Sequence, residues 1–197
     1  MRTPSPFVLA AFGTLSLVMH SGAAAADYDE SIDGEISGDE TSPTALVLEL
    51  GTNTITGTTV PDPLDRDFVT FTLGPGQSLD SLILTAFTGQ PESNEAFMAI
   101  DDQLGFDSLF DTTDFLGTTL IGQADIGSDA LDLLGATEFG GEGFTGPLGE
   151  GTYTIWFQET GGPTSYTFTA TVVPEPGSAA ALLLGAGGLM IRRRRAR

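Results

Sequence analysis

Residues 67–73 read DFVTFTL, with Val69, Phe71 and Leu73 on one side of an extended chain and Phe68, Thr70 and Thr72 on the other. The same alternation returns in residues 152–159 (TYTIWFQE), where Tyr153, Ile155 and Phe157 oppose Thr154, Trp156 and Gln158. It returns again in residues 166–172 (YTFTATV), where Tyr166, Phe168, Ala170 and Val172 oppose Thr167, Thr169 and Thr171. A period of two gives a pleated strand one apolar face, whereas a helix would scatter these side chains around its circumference. Threonine and aromatic side chains also fit a half-buried strand better than a helix. The body of the chain is therefore expected to be a set of strands sharing a core.

Further strands are expected over residues 45–50, 53–59, 81–87, 96–101 and 118–123. Turn chemistry separates them at Pro61, Asp62 and Pro63, at Gly74, Pro75 and Gly76, and at Gly161, Gly162 and Pro163. Many short strands with Gly/Pro turns and little helix predict an all-β fold, an antiparallel β-sandwich of jelly-roll type. Residues 128–134 (SDALDLL) have room for one helical turn. Residues 135–151 hold seven glycines in 17 positions and read as a long loop.

The stretch DRDFVTFTLGPGQSLDSLIL, residues 65–84, resembles the signature of bacterial pre-peptidase C-terminal domains, in which an Asp-x-Asp-aromatic entry leads through a Gly-containing turn to the next strand. The stretch GEGTYTIWFQETGGPTSYTFTATV, residues 149–172, is similar to that family's closing hairpin. The resemblance implies a small jelly-roll-like sandwich that serves as an accessory module, in some members binding calcium or matrix, and not as a catalyst. No enzyme accompanies the module in this chain, so assisting an attached enzyme is not its expected role.

Charge narrows the function further. Of the 27 acidic residues, 26 lie between residues 27 and 173, where Arg66 is the only base, giving a formal net charge of −25. Such a body repels nucleic acid, which is expected to be no partner. There is no cysteine or lysine, and the single histidine, His20, lies in the N-terminal segment. Ser-His-Asp, Cys-His and Schiff-base catalysis are thereby excluded from the body, which is expected not to be an enzyme. What remains is carboxylate, hydroxyl or bound-metal chemistry.

For calcium, residues 29–40 (DESIDGEISGDE) match a twelve-residue loop, with Asp29, Ser31, Asp33, Glu35 and Glu40 as candidate oxygen ligands and Gly34 at the sharp turn. The neighbouring residues are not helix-forming, so the alternative is an acidic strand and turn leading into the sandwich. Asp101, Asp102, Asp107, Asp111 and Asp114 form a second candidate set. A calcium-dependent polysaccharide-binding module is the alternative function that these residues allow. Trp156, Tyr153, Tyr166 and Phe139 are its candidate sugar-stacking rings, although their strand positions fit a core better. A carboxylate-based hydrolase is a further alternative, but no pair of acids stands out for acid and base roles. Arg66, between Asp65 and Asp67, reads as a structural ion-pair partner.

The termini differ in composition from the body. Residues 1–26 read as a signal peptide: Arg2, then a 13-residue apolar run at 7–19, then four alanines at 23–26. Residues 27–44 form an acidic segment and residues 45–173 the sandwich. Beyond them come Pro174, Glu175 and Pro176, an apolar run at 177–191, and an arginine tail with Arg192, Arg193, Arg194 and Arg195. The 15-residue run spans about 22 Å as a helix, short against a hydrocarbon core of about 30 Å. The arginines favour a cytoplasmic end.

Motif, short helix and basic tail in this order resemble the PEP-CTERM sorting signal. The resemblance implies a substrate of an exosortase, a transpeptidase-like membrane enzyme that cuts near the motif. The protein is thus expected to use the secretion machinery, to pause in the inner membrane, and then to pass to the cell surface or the extracellular polysaccharide matrix.

Overall fold

The computed structural model describes residues 26–61, 64–89, 95–159 and 161–175. The expected signal peptide, apart from Ala26, and Pro176, the apolar run at 177–191 and the arginine tail lie outside the described residues. Among the described residues no helix is long and apolar enough to cross a membrane.

The chain is all-β and two-layered. One sheet has the order β1 (Asp27–Asp29), β3 (Gly51–Thr59), β9 (Thr164–Pro174), β5 (Gln77–Thr88). The other has the order β2 (Thr44–Leu46), β4 (Asp67–Leu73), β8 (Gly151–Gln158), β6 (Glu95–Asp101), β7 (Gly117–Gly122). The stretches read most clearly in the sequence take interior places: β9 lies between β3 and β5, and β8 between β4 and β6. Their apolar faces meet between the sheets, where Ile55, Leu82, Leu84, Phe168 and Val172 from one layer join Val69, Phe71, Ile100, Ile155 and Phe157 from the other. Phe157 reaches across to Tyr166 with ring centroids 4.1 Å apart.

The expected antiparallel arrangement is corrected at two places. β1 pairs parallel with β3, and β2 pairs parallel with β4, so both sheets are mixed. Both exceptions are three-residue strands at a sheet edge. Alternation tells which face of a strand is buried; direction is set by the connections, and neither strand is joined to its partner by a tight hairpin. The acidic segment at 27–44 joins the sandwich, supplying β1, the single-turn helix α1 (Glu30–Asp33) and the first residue of β2.

A second apolar cluster lies on the outer face of the five-stranded sheet. Phe68, Ala99, Phe106, Phe115 and Trp156 pack together there, with Phe97 and Leu109 against them. Phe68 and Trp156 stack at 5.7 Å, and Phe106 and Phe115 meet edge to face at 4.9 Å. This explains why β4 and β8 carry large rings among the threonines of their otherwise polar face: the loop between β6 and β7 folds over them.

One edge of each sheet, at β5 and at β7, is covered, which removes an open template for pairing with other chains. On β5, Leu84 N–H donates to Ser128 O at 3.2 Å and Leu82 N–H to Asp129 Oδ1 at 2.9 Å. Asp129 also caps α2 (Ala130–Gly135), the short helix expected near 128–134. The glycine-rich loop after α2 lies along β7, with Glu138 N–H donating to Thr118 O at 3.1 Å and Gly143 N–H to Leu116 O at 3.0 Å. A Cβ on Gly117 would strike the Leu134 carbonyl, so this close packing requires glycine.

Candidate functional site

The acidic loop at 29–40 folds as a capped turn. Asp29 Oδ1 accepts from Ser31 N–H at 3.0 Å and from Ser31 Oγ–H at 2.6 Å, while Asp33 Oδ2 accepts from Asp29 N–H at 2.8 Å. These bonds satisfy donors at the start of α1, which aspartate does well at an N-cap. Gly34 ends the turn with φ 109°, a conformation natural to glycine. Asp29, Ser31 and Asp33 thus come together, but around backbone N–H groups. Glu40 instead lends its backbone carbonyl to Phe106 N–H at 3.0 Å. Among the described residues no three Asp, Glu, His or Cys side chains gather as a metal-binding group, so Asp29, Asp33, Glu35 and Glu40 do not converge.

The same loop drives one carboxylate inward. Glu30 is buried, its Oε1 accepting from Ile36 N–H at 3.0 Å and its Oε2 from Thr58 N–H at 2.7 Å and Thr58 Oγ–H at 2.6 Å. It pins α1 to β3, and Ile36, 0% exposed, closes the core beside it. Ser37 then ties the loop to the other sheet by accepting Phe68 N–H at 2.9 Å.

Beneath this clasp sits Asp67, 1% exposed at the start of β4. Its Oδ2 accepts from Tyr166 Oη–H at 2.7 Å, and its Oδ1 has no partner among the described residues. Burial pushes the Asp67 carboxyl up to about 8; the Tyr166 hydrogen bond works against this, and the negative charges of Glu30, Asp65 and Glu35 add to it. Burial also raises Asp65 and Glu35, with Glu30 as the next cause for each. Tyr166 lies well above the usual phenol range through its own burial and the nearby Asp67. At neutral pH the centre is a protonated carboxyl against a neutral phenol.

Gly57 lies directly opposite Tyr166 in the β3–β9 register. A Cβ there would run into the Tyr166 hydroxyl, so glycine gives the ring its path to Asp67.

The surroundings limit what this centre can do. Asp67 and Tyr166 border an apolar cavity of about 20 Å³ with Ile55, Val69, Leu82, Met98, Ile155, Phe157 and Phe168. That is room for about one water and for no substrate. A groove of about 400 Å³ runs outside, lined by Asp29, Glu30, Ser31, Glu35, Thr56, Gly57 and Thr58. Asp67 does not line it.

The second acidic set shapes the loop over the outer aromatic cluster. Asp101 is buried and accepts from Asp102 N–H and Gln103 Nε2 at 2.9 Å each, with burial holding its carboxyl above the usual range. Asp111 caps a 3-10 turn at Thr112–Asp114, accepting from Thr113 N–H at 3.1 Å and Thr113 Oγ–H at 2.6 Å, bonds that lower its pKa. Trp156, Tyr153 and Tyr166 are buried core rings, while Phe139 is 44% exposed. Arg66 Nε donates to Gln158 Oε1 at 2.8 Å.

At the other end of the chain, Pro174 is the last residue of β9 and lies opposite Gln77 of β5. Glu175 N–H donates to Gly76 O at 2.8 Å. Pro176 and the four arginines Arg192, Arg193, Arg194 and Arg195 lie outside the described residues.

The Asp67–Tyr166–Glu30 centre was not singled out by sequence reasoning, although part of its signal was present. Asp67 shares the parity of Val69, Phe71 and Leu73, and Tyr166 that of Phe168, Ala170 and Val172, so both belong to inward faces. Comparison with known proteins gives no match to this chain: no family model, no curated protein and no solved structure.

Proposed function

We propose that this is an exported, exosortase-processed protein of the cell surface or extracellular matrix, whose acidic β-sandwich has no catalysis of its own. The observation that carries the reading is where the fold ends. Strand β9, the last among the described residues, ends at Pro174, the first residue of the Pro-Glu-Pro triplet, and Glu175, Pro176, the apolar run and the arginines follow it in sequence. The helix-incompatible prolines separate a finished domain from a membrane-seeking tail.

Two further features support a passive body. Among the described residues, the carboxyl raised furthest, Asp67, borders an apolar cavity of about 20 Å³, too small for a substrate. Within the 29–40 loop, Asp29 and Asp33 are bonded to the loop's own backbone, and the reading assigns calcium no structural role. The finer expectation of a jelly-roll-like sandwich, as in pre-peptidase C-terminal domains, belongs to this proposal too.

Fractionation of the native host tests it. With Pro174, Glu175 and Pro176 all changed to alanine, the protein is expected to accumulate in the inner-membrane fraction and to disappear from the surface fraction. Unchanged surface delivery of this variant would count against the sorting role.

A further inference from the structure

The end of β9 is held more firmly than a cutting site requires. Val172 is paired on both sides, with Gly51 of β3 and Leu79 of β5, and is 1% exposed in the core. Val173 and Pro174 continue the ladder on β5 opposite Ser78 and Gln77, and Glu175 adds its N–H to Gly76 O at 2.8 Å. Backbone groups of a strand point alternately to its two sides. With Glu175 N–H on the β5 side, position 174 faces the β3 side, where pairing has already ended at Gly51. Proline lacks an N–H and is tolerated in a sheet only where no ladder bond is lost. Pro174 therefore costs the sandwich nothing, and the first residue of the motif is part of the sheet.

An enzyme that cuts or transfers a peptide takes its substrate as an extended segment whose own backbone groups are free to pair with the enzyme. In the closed sandwich Val172 and Val173 already lie in the ladder, and the Glu175 N–H is already bonded to Gly76 O. Resting on the sorting proposal above, we propose that residues 172–175 are a latch. Processing at the motif proceeds from a state in which this end of β9 has peeled from β5, so the stability of the β5–β9 end sets the processing rate. Local opening of strand ends is ordinary behaviour of folded proteins, and its frequency follows the contacts that must be broken. A completed domain would then be processed at a pace set by its own fold.

The chain has no cysteine, which makes a specific test available. Ser78 and Val173 lie directly opposite in the antiparallel register, a placement that puts Cα atoms about 4.5–5.5 Å apart, within disulfide reach. The full-length Ser78→Cys/Val173→Cys variant is followed in the native host by pulse-labelling and intact mass, with and without reductant. A Val172→Ala variant, which loosens the same end, runs beside it. The latch predicts that the oxidised pair keeps its tail, that reduction restores processing to the wild-type rate, and that Val172→Ala is processed several-fold faster. Processing of the oxidised pair at the wild-type rate, or no acceleration in Val172→Ala, overturns the latch and leaves the sorting proposal standing. A wild-type chain that keeps residues 176–197 at the surface overturns both.

Discussion

Two acid-rich segments that look alike as strings are put to opposite uses. Residues 29–40 send Glu30 inward to meet three donors and lie over Asp67, whereas residues 101–114 keep Asp111 at the surface as a turn cap above a cluster of aromatic rings. The first segment closes the core around the Glu30 and Asp67 carboxyls; the second covers a cluster of aromatic rings. Cluster composition therefore does not report function, because the backbone donors nearest each carboxylate decide its role. The first segment is expected to be the energetically sensitive one.

The largest expected effect is on pH dependence. Asp67 has a folded pKa of about 8 against an ordinary 3.8, so the folded state holds one more proton between those values. The stability it allows is complete below the ordinary value and is lost as pH rises through about 8. A shift of this size corresponds to several kcal/mol, on the order of 5. Urea unfolding of the full-length chain at a series of pH values is expected to show stability falling across this window, and Asp67→Asn is expected to flatten it. A wild-type profile already flat between pH 5 and 8 would remove the buried-acid account.

Next in size is Glu30→Ala, which strands the N–H groups of Ile36 and Thr58 together with the Thr58 hydroxyl. Unpaired buried donors cost about 1–3 kcal/mol each, and a loss of about 3 kcal/mol or more is expected. Because Glu30 also raises Asp67, the alkaline end of the profile should move to lower pH. Gly57→Ala is expected to cost about 1–3 kcal/mol by overpacking against Tyr166, read from the same unfolding curves.

The smallest effect sharpens the contrast. Asp111→Ala removes one exposed cap and is expected to lower stability less than either Glu30→Ala or Gly57→Ala, read from the same unfolding curves. Amide exchange should quicken in residues 102–116 alone. Trp156, the single tryptophan, lies 7% exposed under this loop, so its emission is expected to shift to the red if the cover loosens. A change in Trp156 emission from Glu30→Ala while the chain remains folded would show that the two segments are not independent.

Much of the scaffold could be read in the sequence, because the long strands write their burial in every second residue. β4 spans the seven residues read for it, Asp67–Leu73, and β8 and β9 differ from expectation by one or two residues at their ends. β1 and α1 are three and four residues long, too short to show any period, and they passed as an acidic leader. The parallel edges were illegible because alternation carries no direction. Of the buried centre, the parity of Asp67 and Tyr166 was visible in the string. Their pairing, 99 positions apart in sequence, depends on how the two sheets are stacked, as does the arrival of Glu30 above them.

The measurement that bears most directly on the function is the intact mass of the protein purified from the surface of its own cells. The account predicts a chain that begins near residue 27 and has lost Arg192, Arg193, Arg194 and Arg195 through a cut near the Pro-Glu-Pro triplet. A surface protein whose mass includes the complete arginine tail would contradict it.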